Sequence, residues 1–322
     1  MKFIRLLAGV LAFTLMAAAL AAESYPSRPI RMVIAFPAGG PTDVNARQFA
    51  QAMSERLGQS VIVDNKPGAG GNVASSLVAA APADGYTILY NTSSLLLGAL
   101  LYTSAKHDPI KDFVPVVRTA GVPLVAAVNP SVPARTMSEL VALAKKQPGK
   151  LNYASSGSGT IDHLAGALIA QLLEIDITHV PYKGTAPALT DLVGDQTQLM
   201  VTTLNTLVPF IKDGKLVPLA IASGQRSQVL PDVPTLSEAT GIPNLQLTAW
   251  NGIVAPAGTP PDIVGKLNAA VNHAIGQKKF VEKLNAFGAE VYGGTSSDYG
   301  AFLLSEQARW KAVIQQAGIA PQ

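Results

Sequence analysis

The 322-residue chain has no cysteine, which excludes a disulfide framework, thiolate metal sites and a cysteine nucleophile. Charge of one sign is also missing. Lys2 and Arg5 fall in a leader expected to be removed; without them 22 basic residues face 21 acidic ones, so the formal charge drops from +3 to +1. That balance excludes a surface built for nucleic acid. The four histidines, His107, His163, His179 and His273, lack spacing such as H-x-x-x-H, so no metal site is expected. No Walker lysine follows GAGGN at Gly68–Asn72, and Val73 stands where a third glycine of G-x-G-x-x-G belongs; this stretch looks like a nucleotide loop but is expected to be a structural turn. No low-complexity block or repeat is present. Beyond the N-terminus, no stretch offers about 20 apolar residues free of charge, Gly or Pro.

The N-terminus itself carries Lys2 and Arg5, an apolar run from Leu6 to Leu20 and small residues up to Ala22. This is the layout of a secretory signal peptide over residues 1–22, with a mature chain starting near Ala22 or Glu23. The expected location is therefore the periplasm, with no lipid anchor because no cysteine lies near the cleavage point.

From Pro29 onward short apolar runs alternate with longer helical patterns, the signature of an α/β fold with largely parallel sheets. A strand is expected from Ile30 to Phe36, then the loop PAGG and a helix that Thr42 can cap and Gly58 can end. A second strand near Ser60–Asn65, a helix from about Asn72 to Ala81 and a strand at TILY follow. Later strands are expected at VPLVAAV, KLNYASS, ITHVPY, TQLMVTT and VPLAIAS. TMSE, Thr136 to Glu139, is a capping box. The C-terminal third reads as two amphipathic helices, PDIVGKLNAAVNHAIGQKKFVEKLNAF and SDYGAFLLSEQARWKAVIQQAG, around a short strand in AEVYGG. Trp250 reads as core or hinge packing.

Ligands of such sheets sit where strands end and helices begin, because free N–H groups and the helix dipole favour negative charge there. Three loops fit: PAGGPTD with Gly39, Gly40 and Thr42; NTSS with Asn91 and Ser93; and NYASSGSGTIDHL with Ser155, Ser156, Ser158 and Thr160. They supply neutral donors and no fixed cation, which suits a carboxylate better than a phosphate. Lys183 and Arg47 read as solvated charges. Asp162 and His163, adjacent on one helix, point apart and form no hydrolase pair with these serines.

In order, FPAGGPTDVNAR, VDNKPGAGGNVAS, ADGYTIL, NYASSGSGTIDHLAG, HVPYKGTAPALTDLVGDQ, LPDVPTLSEATG and WNGIVAPAGTP closely resemble the landmarks of the Bug receptors, the TctC-like substrate-binding proteins of tripartite tricarboxylate transporters. The resemblance runs from about Tyr25 to the C-terminus. It implies a two-domain type II periplasmic-binding-protein fold with a ligand cleft, residues 23–124 plus 225–322 forming one domain and 125–224 the other. It also implies ligand contacts from Phe36, Ala38, Gly39, Gly40 and Thr42; from Asn91 and Ser93; from Ser156, Ser158, Gly159, Thr160 and His163; and from Tyr182, Thr185 and Thr202. No catalytic residue, metal or cofactor is implied. The expected function is a periplasmic receptor that captures a small carboxylate for integral transporter subunits and acts as a monomer. The alternatives are an orphan sensor whose closed form docks on a signalling kinase ectodomain and a secreted serine hydrolase using SSGSGT. Where many relatives have an acid or amide in a segment like MFDNLPS, this chain has MVTTLNT with Thr202 and Thr203. Lack of an acid there tilts the expected ligand away from amino acids.

Overall fold

The computed structural model describes residues 25–286, 289–316 and 319; the expected signal peptide lies outside them. In chain order the first half comprises β1 (Ile30–Ile34), α1 (Pro41–Leu57), β2 (Val61–Asn65), α2 (Asn72–Ala79), β3 (Thr87–Thr92), α3 (Ser94–Leu101) and β4 (Phe113–Val128). The middle comprises α4 (Met137–Lys146), β5 (Asn152–Ser155), α5 (Ile161–Leu172), β6 (Thr178–Pro181), α6 (Thr185–Val193), β7 (Leu199–Thr203), α7 (Leu204–Lys212) and β8 (Val217–Ile221). Last come α8 (Leu236–Thr240), β9 (Thr248–Pro256), α9 (Pro261–Ile275), α10 (Lys278–Asn285), β10 (Glu290–Val291) and α11 (Ser296–Gln316).

The strands form one path, β2-β1-β3-β9-β4-β7-β5-β6, with β8 and β10 also paired to β4. Among the described residues, parallel strand pairs are β1 with β2 and β3, and β5 with β6 and β7, with one further parallel bridge between Ile221 and Thr235. The middle is antiparallel, contrary to the expectation of largely parallel sheets, because β4 and β9 run against their neighbours. β4 is the strand that joins the two halves. Its first part, Phe113–Pro123, pairs with β9, and Leu124–Val128 then pairs with β7 and β8.

Alternation of burial fixes each layer. In the first half Ile30, Met32 and Ile34 of β1 pack with Phe49 and Met53 of α1, all fully buried, each worth roughly 1.5–3 kcal/mol of transfer free energy. In the second half Leu124, Val128, Leu140, Leu164 and Ile169 bury α4 and α5 against the sheet.

Local signals correct several boundaries. β1 stops at Ile34, two residues short of Phe36. α1 begins at Pro41, where the missing proline N–H costs nothing, and Gly40 is its N-cap; Thr42 lies inside the first turn and does not cap. Gly58 ends it at φ +69° as expected. α2 stops at Ala79. The capping box of Thr136 and Glu139 forms, and a second one, Thr235 with Glu238, opens α8. The long C-terminal helix breaks between Ile275 and Lys278 into α9 and α10.

Candidate functional site

The ends of β1, β3, β5 and β7 and the starts of five helices meet around one cavity, with room of about 90 Å³ for the centres of water-sized molecules. From the first half come Phe36 to Ala38 and Gly40 to Thr42 before and within the first turn of α1, Asn45, Thr92 to Ser94 at the start of α3, Val122, Ala249 and Asn251. From the second half come Ser156, Thr160 to Asp162 at the start of α5, Gly184 to Pro187 at the start of α6, and Thr202, Thr203 and Asn205 around the start of α7. Helix N-termini carry unpaired N–H groups and a partial positive charge, so five of them produce a positive potential without a basic residue. Among the described residues no Lys, Arg or His lines the cavity.

The first loop is shaped by Asp43. Gly39 adopts φ +81°, a conformation that favours glycine, and its N–H donates to Asp43 Oδ2 at 3.0 Å. Burial pushes the Asp43 carboxyl up, but hydrogen bonds from Arg47, the Gly39 N–H and Asn65 pull it below the usual carboxylate range. Arg47 is thus half of a positioning pair, at 2.9 Å, and not merely solvated.

The second loop is held from behind. Thr160 Oγ1 donates to Gly157 O at 2.7 Å, and Gly159 donates its N–H to His163 Nδ1 at 3.3 Å. The His163 ring stacks on His179 at 4.1 Å, and His179 stacks in turn on Tyr153 at 4.9 Å. Burial lowers the His163 pKa; burial, then the facing His163, push His179 down to about 4. Ser155 Oγ lies 2.7 Å from His179 Nε2 and accepts the Gly157 N–H. Ser155 is fully buried, so this serine–histidine contact braces the loop and offers nothing to the cavity.

Of the residues singled out from sequence, Phe36, Ala38, Gly40, Thr42, Ser93, Ser156, Thr160, Thr185 and Thr202 line the cavity. Gly39 lines the groove beside it, with Val44, Gln48 and Leu189. Ser158 and Tyr182 line a second cavity on the other side of Phe36 and Pro37, which also takes in Gly68 to Gly71. The GAGGN turn therefore faces space between the halves. A Cβ at Gly70 would come within 2.7 Å of Ser158 O, so this turn needs glycine. Asn91, Gly159 and His163 lie outside the lining: Asn91 Nδ2 donates to Tyr299 Oη at 2.8 Å, and the other two form the brace just described. Tyr182 Oη donates to Asp191 Oδ2 at 2.6 Å.

Asn45, Thr92, Ser94, Asn205, Asn251 and Asp162 line the cavity without standing among the contacts the resemblance implied. Asp162 overturns the premise drawn from Thr202 and Thr203: a carboxylate does stand there, supplied by α5 and hydrogen-bonded by Thr202. Two polar atoms of the lining, Ser93 Oγ and Asn205 Oδ1, are buried without a hydrogen-bond partner. Among the described residues no group of His, Asp or Glu is placed to hold a metal, and no helix is long and apolar enough to cross a membrane.

BugT of Bordetella pertussis is 37% identical over 304 residues, covering 94% of this chain and 93% of that protein. Two solved structures are similar over at least 90% of this chain. Rpa4515 of R. palustris with adipate gives a TM-score of 0.89 at 38% identity, over 92% of this chain and all of the other. MatC (Rpa3494) of Rhodopseudomonas palustris with bound malate gives 0.85 at 35% identity, over 90% of this chain and all of the other. The sequence profile of the tripartite tricarboxylate transporter family receptor matches residues 45–319. With its helix starts gathered around one cleft and at least 90% of its length shared with these relatives, the chain belongs to the tripartite tricarboxylate transporter receptors, solute-binding proteins of the periplasmic-binding-protein fold.

Proposed function

We propose that this chain captures a small organic acid in the cavity between its halves, outside the cytoplasmic membrane, and delivers it to integral subunits of a tripartite tricarboxylate-type transporter. The reading rests on the convergence of five helix N-termini and the unpartnered Ser93 hydroxyl on a cavity without a basic side chain. Such donors fit the charge and size of a carboxylate. Each dipole-aligned contact contributes roughly 0.3 to 1 kcal/mol, up to about 2 when partly buried, while micromolar affinity needs about 8. No single loop reaches that value, so the site forms only when both halves contribute. Residues 23–124 plus 225–322 act as one domain and 125–224 as the other, with the proposed contacts Phe36, Ala38, Gly40, Thr42 and Ser93 on the first, and Ser156, Thr160, Thr185 and Thr202 on the second. Adipate and malate in the two related structures support the ligand class. The chain acts by closing around the ligand, and the closed form is what the membrane subunits recognise.

Isothermal titration with adipate, malate, succinate and citrate, followed by nuclear magnetic resonance of the recovered ligand, tests the reading. Saturable one-to-one binding of at least one acid, recovered unchanged, is expected. Turnover of the acid, or no binding by any carboxylate, overturns it.

A further inference from the structure

Asp162 is the only ionisable side chain on the cavity wall among the described residues. It is 3% exposed, and no Lys, Arg or His forms an ion pair with it. Asp43, in the first turn of α1, is its counterpart across the cleft, but Asp43 is balanced by Arg47. Asp162 has only neutral partners: the Ser156 N–H at 3.3 Å, the Ser156 hydroxyl at 2.6 Å and the Thr202 hydroxyl.

A hydroxyl has one proton to give. Ser156 and Thr202 give theirs to Asp162, so both present lone pairs to the cavity they line. Asn205 Oδ1, buried and unpartnered, lines the same cavity. One end of the cavity is therefore an acceptor wall drawn from two chain segments, 156–162 and 202–205, while the α1 and α3 starts supply donors. A second carboxylate turned to the acceptor wall meets repulsion, whereas an N–H or O–H meets several partners. Burial pushes the Asp162 carboxyl up despite the hydrogen bonds from Ser156 and Thr202, so its ionised form is still short of stabilisation that a ligand donor would supply.

Resting on the carboxylate reading above, we propose that Asp162 is the specificity-determining residue through which this receptor selects acids that carry a hydrogen-bond donor, hydroxyl or ammonium, beside the carboxylate. Calorimetric titration of matched sets, succinate with malate and aspartate, and propionate with lactate and alanine, tests it in the wild type, in Asp162→Asn and in Asp162→Ala. In the wild type the hydroxy or amino member of a set binds at least about tenfold tighter than its unsubstituted partner. In Asp162→Asn, which replaces an acceptor oxygen by a donor, and in Asp162→Ala, which removes the acceptor, the ratio falls below about threefold. A preference for the amino members identifies an ammonium as the donor, and one for the hydroxy members a hydroxyl. Equal wild-type affinity within the sets, or an undiminished ratio in a folded Asp162→Asn, overturns the proposal. No binding by any of the six acids overturns the carboxylate reading itself and this proposal with it.

Discussion

Ser93 is 1% exposed, lines the cavity and has a hydroxyl that no protein group bonds. Leaving such a group unpaired costs roughly 1–3 kcal/mol of desolvation, a cost that a bound carboxylate can offset by accepting its proton. Ser93→Ala is accordingly expected to leave the unfolding midpoint of the ligand-free protein unchanged or raised, while weakening acid binding about fivefold to tenfold; an affinity equal to wild type by titration calorimetry contradicts the role. Ser93 was legible because Gly-, Ser- and Thr-rich strand ends advertise backbone access and hydroxyls. Asn251 was not: it reaches the cavity from β9, far from any loop with such a composition. Asp162 was visible but weighed only as a partner for His163. Its actual partners, Ser156 and Thr202, belong to a loop and a strand that only the folded chain brings together.

Among the elements, α11 is tied to the sheet by Tyr299 and Ser296 and by one carboxylate that serves two indoles. Glu306 Oε2 accepts both the Trp250 Nε1–H at 2.9 Å and the Trp310 Nε1–H at 3.0 Å, and both indoles are 1% exposed. Glu306→Ala strands two buried donors and should cost about 2–4 kcal/mol in urea unfolding, with Glu306→Gln losing less; a loss under 0.5 kcal/mol on this scale would show that the indoles find other partners. Under acid, the brace behind the second loop should be felt. His179 is held near 4 while an unfolded histidine titrates near 6.5. Between those values the unfolded chain binds a proton the folded chain refuses, so stability falls as pH falls through this window. The urea midpoint should drop more steeply from pH 6.5 to 4.5 in wild type than in His179→Gln, and parallel slopes would contradict the assignment. The stack escaped sequence reading because His163 and His179 share no element and no ligand spacing. β4 escaped in part for a different reason: Pro115, Arg118 and Gly121 interrupt the apolar run of its first section, so only VPLVAAV stood out. α9 and α10 merged because Gly276 and Gln277 are a weak break inside a continuous apolar stripe.

Across the whole molecule, outside the cavity, the halves share apolar packing, Leu101 and Trp310 of the first lying in one buried cluster with Leu140 and Leu164 of the second, and polar and close contacts at the cleft edge. Tyr102, just after α3, donates its hydroxyl to Ser158 O at 2.9 Å, and Pro37 packs so near Gly184 that a Cβ there would sit 3.3 Å from Pro37 Cγ. If closure makes the site, the Tyr102 bond belongs to the closed form. Tyr102→Phe should raise the dissociation constant about twofold to tenfold and increase the ligand-free radius of gyration in X-ray scattering; unchanged affinity and radius would show that this bond does not bias closure. The two-lobed architecture and the cleft were legible through the family resemblance carried by seven ordered motifs, several of which mark strand-to-helix junctions. The antiparallel middle of the sheet was not, because pairing partners in β4 and β9 lie more than 120 residues apart. The most direct test of the central claim is a crystal structure of the protein with the tightest-binding acid. The account predicts a carboxylate within hydrogen-bond distance of Ser93 Oγ and the first-turn N–H groups of α1, enclosed by residues of both halves. An acid bound outside this cavity, or held there by a basic side chain, would contradict it.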